Sequence, residues 1–119
     1  MLYLTSENQK RAFLQQAKQL IANGQKDFIK RTYVHPTGKR VKWMEALLDI
    51  GLTRPNQVWD EILTLTPNDY FSGPSVDVDR PNEGSVLWIF KKEVNGKIVY
   101  IKMKIDQRGT VCISFHEDW

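Results

Sequence analysis

Val86-Leu87-Trp88-Ile89-Phe90-Lys91-Lys92-Glu93-Val94-Asn95-Gly96-Lys97-Ile98-Val99-Tyr100-Ile101-Lys102-Met103-Lys104-Ile105 decides the fold of this chain. Asn95-Gly96 separates two apolar-rich runs, and that dipeptide is a strong hairpin signal because both residues accept the positive φ of a type I′ turn. In the second run Val99, Ile101, Met103 and Ile105 alternate with Tyr100, Lys102 and Lys104. A period of two marks a strand with one buried and one wet face.

A third run, Val111-Cys112-Ile113-Ser114-Phe115-His116, alternates in the same way. A three-residue loop, Gln107-Arg108-Gly109, with Gly109 at positive φ, sets Asp106 opposite Thr110, Lys102 opposite Ser114 and Tyr100 opposite His116. The Asn-Gly turn separately sets Lys91 opposite Tyr100. Lys91, Tyr100 and His116 then form one polar row across three strands. Trp88, Phe90, Ile101, Met103, Ile113 and Phe115 line the opposite, core face, and Cys112 is expected on the wet face opposite Lys104.

Upstream of this sheet the signals are helical. Ser6 to Asn23 carries Phe13, Leu14, Ala17, Leu20 and Ile21 on one helical face, with a capping box at Ser6 and Gln9 and a stop at Gly24. Asp27 to Val34 favours a strand or extended arm, broken by His35-Pro36-Thr37-Gly38. Arg40 to Asp49 is expected as a second helix presenting Trp43, Met44, Leu47 and Leu48. A third, capped by Thr53 or Arg54, presents Val58, Trp59, Ile62 and Leu63. Thr66-Pro67-Asn68-Asp69 repeats the start signal and places Tyr70 and Phe71 on a single helical turn. Ser75 to Gly84, with Asp77, Asp79, Pro81 and Glu83, reads as an ordered loop into the sheet. Helices followed by an antiparallel sheet predict a single α+β domain over residues 1–119, its N-terminal helices packed on one face of the C-terminal sheet.

At 119 residues, 41% hydrophobic and 26% charged, the composition is that of one soluble globular domain. No apolar run approaches membrane-spanning length and the N-terminus lacks the pattern of a signal peptide. The single cysteine, Cys112, allows no internal disulfide and fits no metal-ligand spacing, so a cytoplasmic setting without metal or other cofactor is expected. A net charge of +3 permits a nucleic-acid partner without demanding one. Lys91, Lys92, Lys97, Lys102 and Lys104 lie on the hairpin, and Lys26, Lys30, Arg31, Lys39, Arg40 and Lys42 follow the first helix. Solvation alone accounts for many such faces.

The wet face also has the makings of an RNA-cleaving site. Cleavage without a metal needs a base for the 2′-hydroxyl proton, a cation for the phosphorane and an acid for the leaving oxygen. His116, Tyr100 and the lysines are groups of that kind. The competing view makes His116 a frayed terminal residue and Tyr100 a cross-strand packing partner. Asp77, Asp79 and His116 form a weaker alternative, a metal set with no fixed separation. Ser72-Gly73-Pro74-Ser75 fits neither a phosphate-binding loop nor a nucleophile elbow.

Several short motifs, in order along the chain, carry a family resemblance. Leu47-Leu48-Asp49-Ile50-Gly51-Leu52-Thr53, Ile62-Leu63-Thr64-Leu65-Thr66-Pro67-Asn68-Asp69-Tyr70, Gly73-Pro74-Ser75-Val76-Asp77, Trp88-Ile89-Phe90, Tyr100-Ile101-Lys102 and Ile113-Ser114-Phe115-His116 resemble the MqsR family of bacterial type II toxins. The resemblance implies a RelE-like α+β fold and a metal-independent endoribonuclease of messenger RNA, held inactive by a cognate MqsA-type antitoxin. The family tyrosine falls on Tyr100 and its C-terminal basic residue on His116. Ser72 stands where the family has lysine and Ile89 where it has glutamine, leaving Lys91 or Lys102 to supply the phosphate charge. Lys104, Lys92, Arg31 and Arg40 are the further expected RNA contacts. The segment Arg31 to Lys42 reads as an additional RNA-contacting or antitoxin-contacting loop.

Two other classes stay open at this level. One is a non-catalytic module that holds single-stranded nucleic acid on a basic, aromatic-bearing sheet. The other is a protein-interaction domain whose edge strand pairs with a partner's strand.

Overall fold

A computed structural model describes residues 4–80 and 84–119; the expected roles of Pro81 and Glu83 in the loop before the sheet fall outside them. Three helices pack against a mixed five-stranded sheet. The elements are α1 Glu7–Ala22, β1 Lys26–Phe28, β2 Thr32–Val34, β3 Arg40–Lys42, α2 Trp43–Asp49, α3 Asn56–Leu63, a 3₁₀ turn Pro67–Asp69, β4 Tyr70–Val76, β5 Val86–Val94, β6 Lys97–Asp106 and β7 Gly109–Glu117. The sheet order is β1-β7-β6-β5-β4, with β1 parallel to β7 and the other neighbours antiparallel.

Helix α1 starts at the expected capping box of Ser6 and Gln9 and buries Phe13, Leu14, Ala17 and Ile21. It lies on the apolar sheet face, where Phe13 stacks on Trp88 at 4.6 Å. Phe90, Val99, Ile101, Met103 and Phe115 are fully buried beneath the helices. Phe90→Ala-type truncations in such a core ordinarily cost about 3–5 kcal/mol, so this layer fixes the sheet that carries the polar row. Among the described residues, no helix is long and apolar enough to cross a membrane.

The Asn95-Gly96 turn has φ of 52° and 85°, as a type I′ turn requires, and pairs Lys91 with Tyr100. The next connection differs from expectation. Gln107-Arg108 is a two-residue turn and Gly109 already opens β7, so Asp106 pairs with Gly109 rather than Thr110. A bulge at Ile113 then takes up one extra residue, which restores Lys102 opposite Ser114 and Tyr100 opposite His116. Between turn and bulge the faces are exchanged. Cys112 lies in the core opposite Met103, not on the wet face, and Val111 faces Lys104. Burial accordingly pushes the Cys112 thiol up, to the inert side of its ordinary range. Ile113, expected in the core, lines the polar side instead.

Three upstream expectations are corrected by strand pairing. Tyr70 and Phe71 belong to a sheet strand, not a helical turn; Tyr70 pairs with Phe90 and sets its ring edge-on to Trp88 and Phe90. Arg40–Lys42 forms a hairpin with β2, because Val41 and Tyr33 close a second small core with Ala46. That shortens α2 and leaves Met44 and Leu48 exposed rather than buried. The sheet itself is mixed and five-stranded where three antiparallel strands were expected.

Gly109 sits at φ +104°, and a Cβ there would run into the backbone of Gln25 just before β1. Gly109→Ala is expected to destabilise the fold by about 1–3 kcal/mol through backbone strain and displacement of β1. A denaturant midpoint unchanged from wild type would contradict this.

Candidate functional site

The polar row crosses the sheet as three paired positions, Lys91 on β5, Tyr100 on β6 and His116 on β7. His116 is held on three sides by rings. Tyr100 stacks on it at 5.2 Å, Trp119 at 4.2 Å, and Tyr33 of β2 lies tilted at 4.6 Å. Tyr33 reaches this position because its hydroxyl accepts a hydrogen bond from the Phe115 N–H at 3.2 Å, which ties the β2–β3 hairpin to β7. Burial pushes the Tyr33 phenol up to about 12, so it remains neutral in that role.

The imidazole has a defined protonation. His116 Nδ1 lies 2.7 Å from the Glu117 carbonyl oxygen, which can only accept, so Nδ1 carries the hydrogen. Burial lowers the His116 pKa below its ordinary value; the Glu117 carbonyl and Asp118 oppose this, while Arg31 and Lys102 add to it. The neutral ring therefore leaves the Nε2 lone pair available as a base.

Arg31, Tyr33, Tyr100, Lys102, His116 and Trp119 line an open groove of about 420 Å³. Burial and the neighbouring Arg31 charge lower the Lys102 pKa, against the pull of Asp79 and Asp77. Burial and Asp118 raise that of Tyr100, with Arg31 opposing, so the phenol keeps its proton. Arg31 rests near the Tyr33 face at 6.0 Å. Neither Arg31 nor Lys102 has an ion-pair partner among the described residues. Two cations lining one groove favour an anion there.

The other expected contacts are placed differently. Lys91 is in the row, but its ammonium is paired with Asp118 at 2.9 Å and lies over the Phe71 ring. Lys92 turns to the helical side, where it bonds Glu61 at 2.9 Å and Thr64. Lys104 is 2% exposed and pairs with Asp77 at 3.3 Å and Asp106 at 3.8 Å, so it holds a loop down rather than facing a phosphate. Arg40 is exposed on β3, outside the residues that line the groove. No group of His, Cys, Asp or Glu among the described residues is arranged to hold a metal, and Asp77 and Asp79 are not brought to His116 as one set.

Ser72 and Ile89, the two positions that depart from the pattern the sequence resembles, meet in space. Ser72 pairs with Ile89, and Ile89 with Lys102, so the strand-to-strand row next to His116 carries its positive charge on β6. Tyr33, Asp118 and Trp119 were not among the expected site residues. Tyr33 between the β-branched Thr32 and Val34 was a usable strand signal for the first; nothing in the sequence pattern pointed to the other two.

Together these features define an α+β protein with an open groove on the polar face of its sheet, lined by two cations, aromatic rings and the Asp118 carboxylate. No family model, curated protein or solved structure matches the chain.

Proposed function

We propose that the chain is a RelE-like toxin of the MqsR type, a metal-independent endoribonuclease of messenger RNA that acts in the cytoplasm and is restrained by an MqsA-type antitoxin. The observation that carries this reading is the His116 ring, with Nδ1 committed to a carbonyl, beside Tyr100 and the unpaired cations Arg31 and Lys102. His116 Nε2 takes the proton of a ribose 2′-hydroxyl. The 2′-oxygen then attacks phosphorus, the P–O5′ bond breaks, and the 5′-oxygen leaves with a proton donated by Tyr100 or by a water that Tyr100 orients. Arg31 and Lys102 stabilise the charge on the non-bridging oxygens, with Lys91 a supporting charge already balanced by Asp118. The edge strand β4, which exposes Phe71 and Val76, offers a backbone for an antitoxin strand.

The test is incubation of purified protein with a defined messenger RNA in excess chelator, alone and on translating ribosomes. Fragments with 2′,3′-cyclic phosphate and 5′-hydroxyl ends are expected. RNA bound but intact in both settings would overturn cleavage and favour the non-catalytic RNA-binding module.

The pH dependence has a definite sign. His116 acts as base only when neutral, and its pKa lies below the ordinary 6.5, so kcat/KM is expected to hold through neutral pH and fall below 6.5. Arg31→Ala removes a charge that disfavours the imidazolium, so the acid limb should move to higher pH. An acid limb that stays in place would remove Arg31 from the neighbourhood of the base.

A further inference from the structure

Past β7 the chain stays on the sheet. The Asp118 N–H donates to the Ile98 carbonyl at 2.8 Å, which carries the pairing of Val99 with Glu117 one residue further. Asp118 then sets its carboxylate 2.9 Å from the Lys91 ammonium, and Trp119 lays its indole on the His116 ring at 4.2 Å with the planes 11° apart. The indole also meets His35, in the loop between β2 and β3, at 4.9 Å. His35 is itself held, its Nδ1 accepting a hydrogen bond from the Thr37 N–H at 3.1 Å. Only 36% of Trp119 is exposed, although it belongs to no strand or helix.

These two side chains have the chemistry of a nucleotide. A nucleotide carries an anion and a flat ring joined by a short linkage; Asp118 and Trp119 carry a carboxylate and a two-ring indole on adjacent residues. The carboxylate neutralises Lys91, which stands with Tyr100 and His116 in the polar row, and both residues line the groove that contains Arg31 and Lys102. The Asp118 charge also reaches the ionisable groups of the row, raising the Tyr100 pKa and opposing the fall of that of His116. The indole covers a face of the imidazole on which a base could stack. The segment is held lightly. The Lys91 and Asp118 side chains are 25% and 32% exposed, and an ion pair so open to water contributes little.

We propose that Lys91 and the His116 face form a nucleotide position that Asp118 and Trp119 fill in the free protein, carboxylate in place of phosphate and indole in place of base, and that single-stranded RNA displaces them. The choice of RNA rests on the ribonuclease reading; the seating of Asp118 and Trp119 does not. Displacement frees the Lys91 ammonium, so a cation balanced at rest joins Arg31 and Lys102 in the loaded groove. Apparent affinity is reduced by the fraction of molecules in which the segment is lifted, and variants that cannot close recover it.

The full chain is titrated into a fluorescein-labelled, single-stranded hexanucleotide of 2′-O-methyl RNA, which lacks the attacking hydroxyl and cannot be cleaved. Fluorescence anisotropy is expected to show tighter binding by Trp119→Ala and by Asp118→Asn, and about tenfold tighter binding by the double variant. Trp119→Ala decides the sign because it changes no charge; a ring that served as a platform for the RNA would lose affinity on removal. In ¹⁵N spectra of wild type the indole N–H of Trp119, assigned sequentially, should move as the hexanucleotide binds, a readout that requires no variant. Affinity unchanged or weakened in Trp119→Ala, or an indole resonance that stays in place at saturation, would overturn the proposal. The same proteins are assayed on messenger RNA. Cleavage by a wild type whose indole stays in place sinks the displacement alone, and displacement with intact messenger RNA sinks the nuclease reading alone.

Discussion

His116→Ala is expected to reduce RNA cleavage by about 10²–10⁴-fold, the usual contribution of a positioned general base. The ring is also packed between Tyr100, Trp119 and Tyr33, so its loss removes contacts as well as a base. His116→Gln separates the two effects, since it fills much of the space and can still donate to the Glu117 carbonyl but cannot take a proton at neutral pH. Both variants should remain folded and inactive, and added imidazole should restore part of the activity of His116→Ala alone. Activity in His116→Gln near that of wild type would reduce His116 to a packing residue. Loss of activity accompanied by loss of the folded spectrum in both variants would point the same way.

Lys104→Ala is expected to cost about 3–5 kcal/mol of stability, because it strands the buried partner Asp77. Asp106 suffers less, since Arg108 also holds it at 2.7 Å. Lys102→Ala, two positions away on the same face, should change stability little, because that ammonium has no ion pair among the described residues and is half-buried, with Arg31 repelling it and Asp79 and Asp77 attracting it. It should instead weaken RNA binding and lower the log–log salt slope by about 0.7, the loss of one single-strand phosphate contact. Urea midpoints and salt titrations of the two variants test the contrast, and equal stability losses would refute it. Replacing the pair together, as Lys104→Met with Asp77→Leu, should recover much of the loss.

The same network sets the acid response. Burial opposes ionisation of Asp77, but the hydrogen bond and charge of Lys104 outweigh it, so its pKa lies below the ordinary 3.8. Arg108 holds Asp106 below the same value. Carboxylates depressed on folding contribute stability that is present above their unfolded pKa and lost as pH falls through the folded one. In Lys104→Ala the Asp77 pKa is free to rise, so less of this stability remains and acid unfolding should begin at higher pH.

Much of the sheet was readable from local chemistry. Asn95-Gly96 needs no distant partner to adopt two positive φ angles, and Ser6 with Gln9 closes its own capping box, so the hairpin and the start of α1 follow from residues close in the chain. Alternation along β6 fixed which of its side chains face the helices, and the row of Lys91, Tyr100 and His116 followed from the two turns. The second turn reached the right register by a different route, a shorter turn and a bulge in place of a longer loop.

The tertiary structure decided what each polar side chain meets. A lysine on the wet face reads the same at Lys102 and Lys104, yet the loop at Asp77 folds over one and leaves the other beside Arg31. Lys91 lost its free charge to Asp118, and His116 gained its enclosure from Tyr33 and Trp119, through contacts between segments far apart in sequence or beyond the strand pattern. The sequence by itself therefore determined the hairpin, the capped helix and the polar face, because these depend on backbone preference and on periodicity within a few residues. Which cations stay unpaired, and where Cys112 and Ile113 point, were decided only by tertiary packing, because burial and counter-ions come from whichever segment is folded on top.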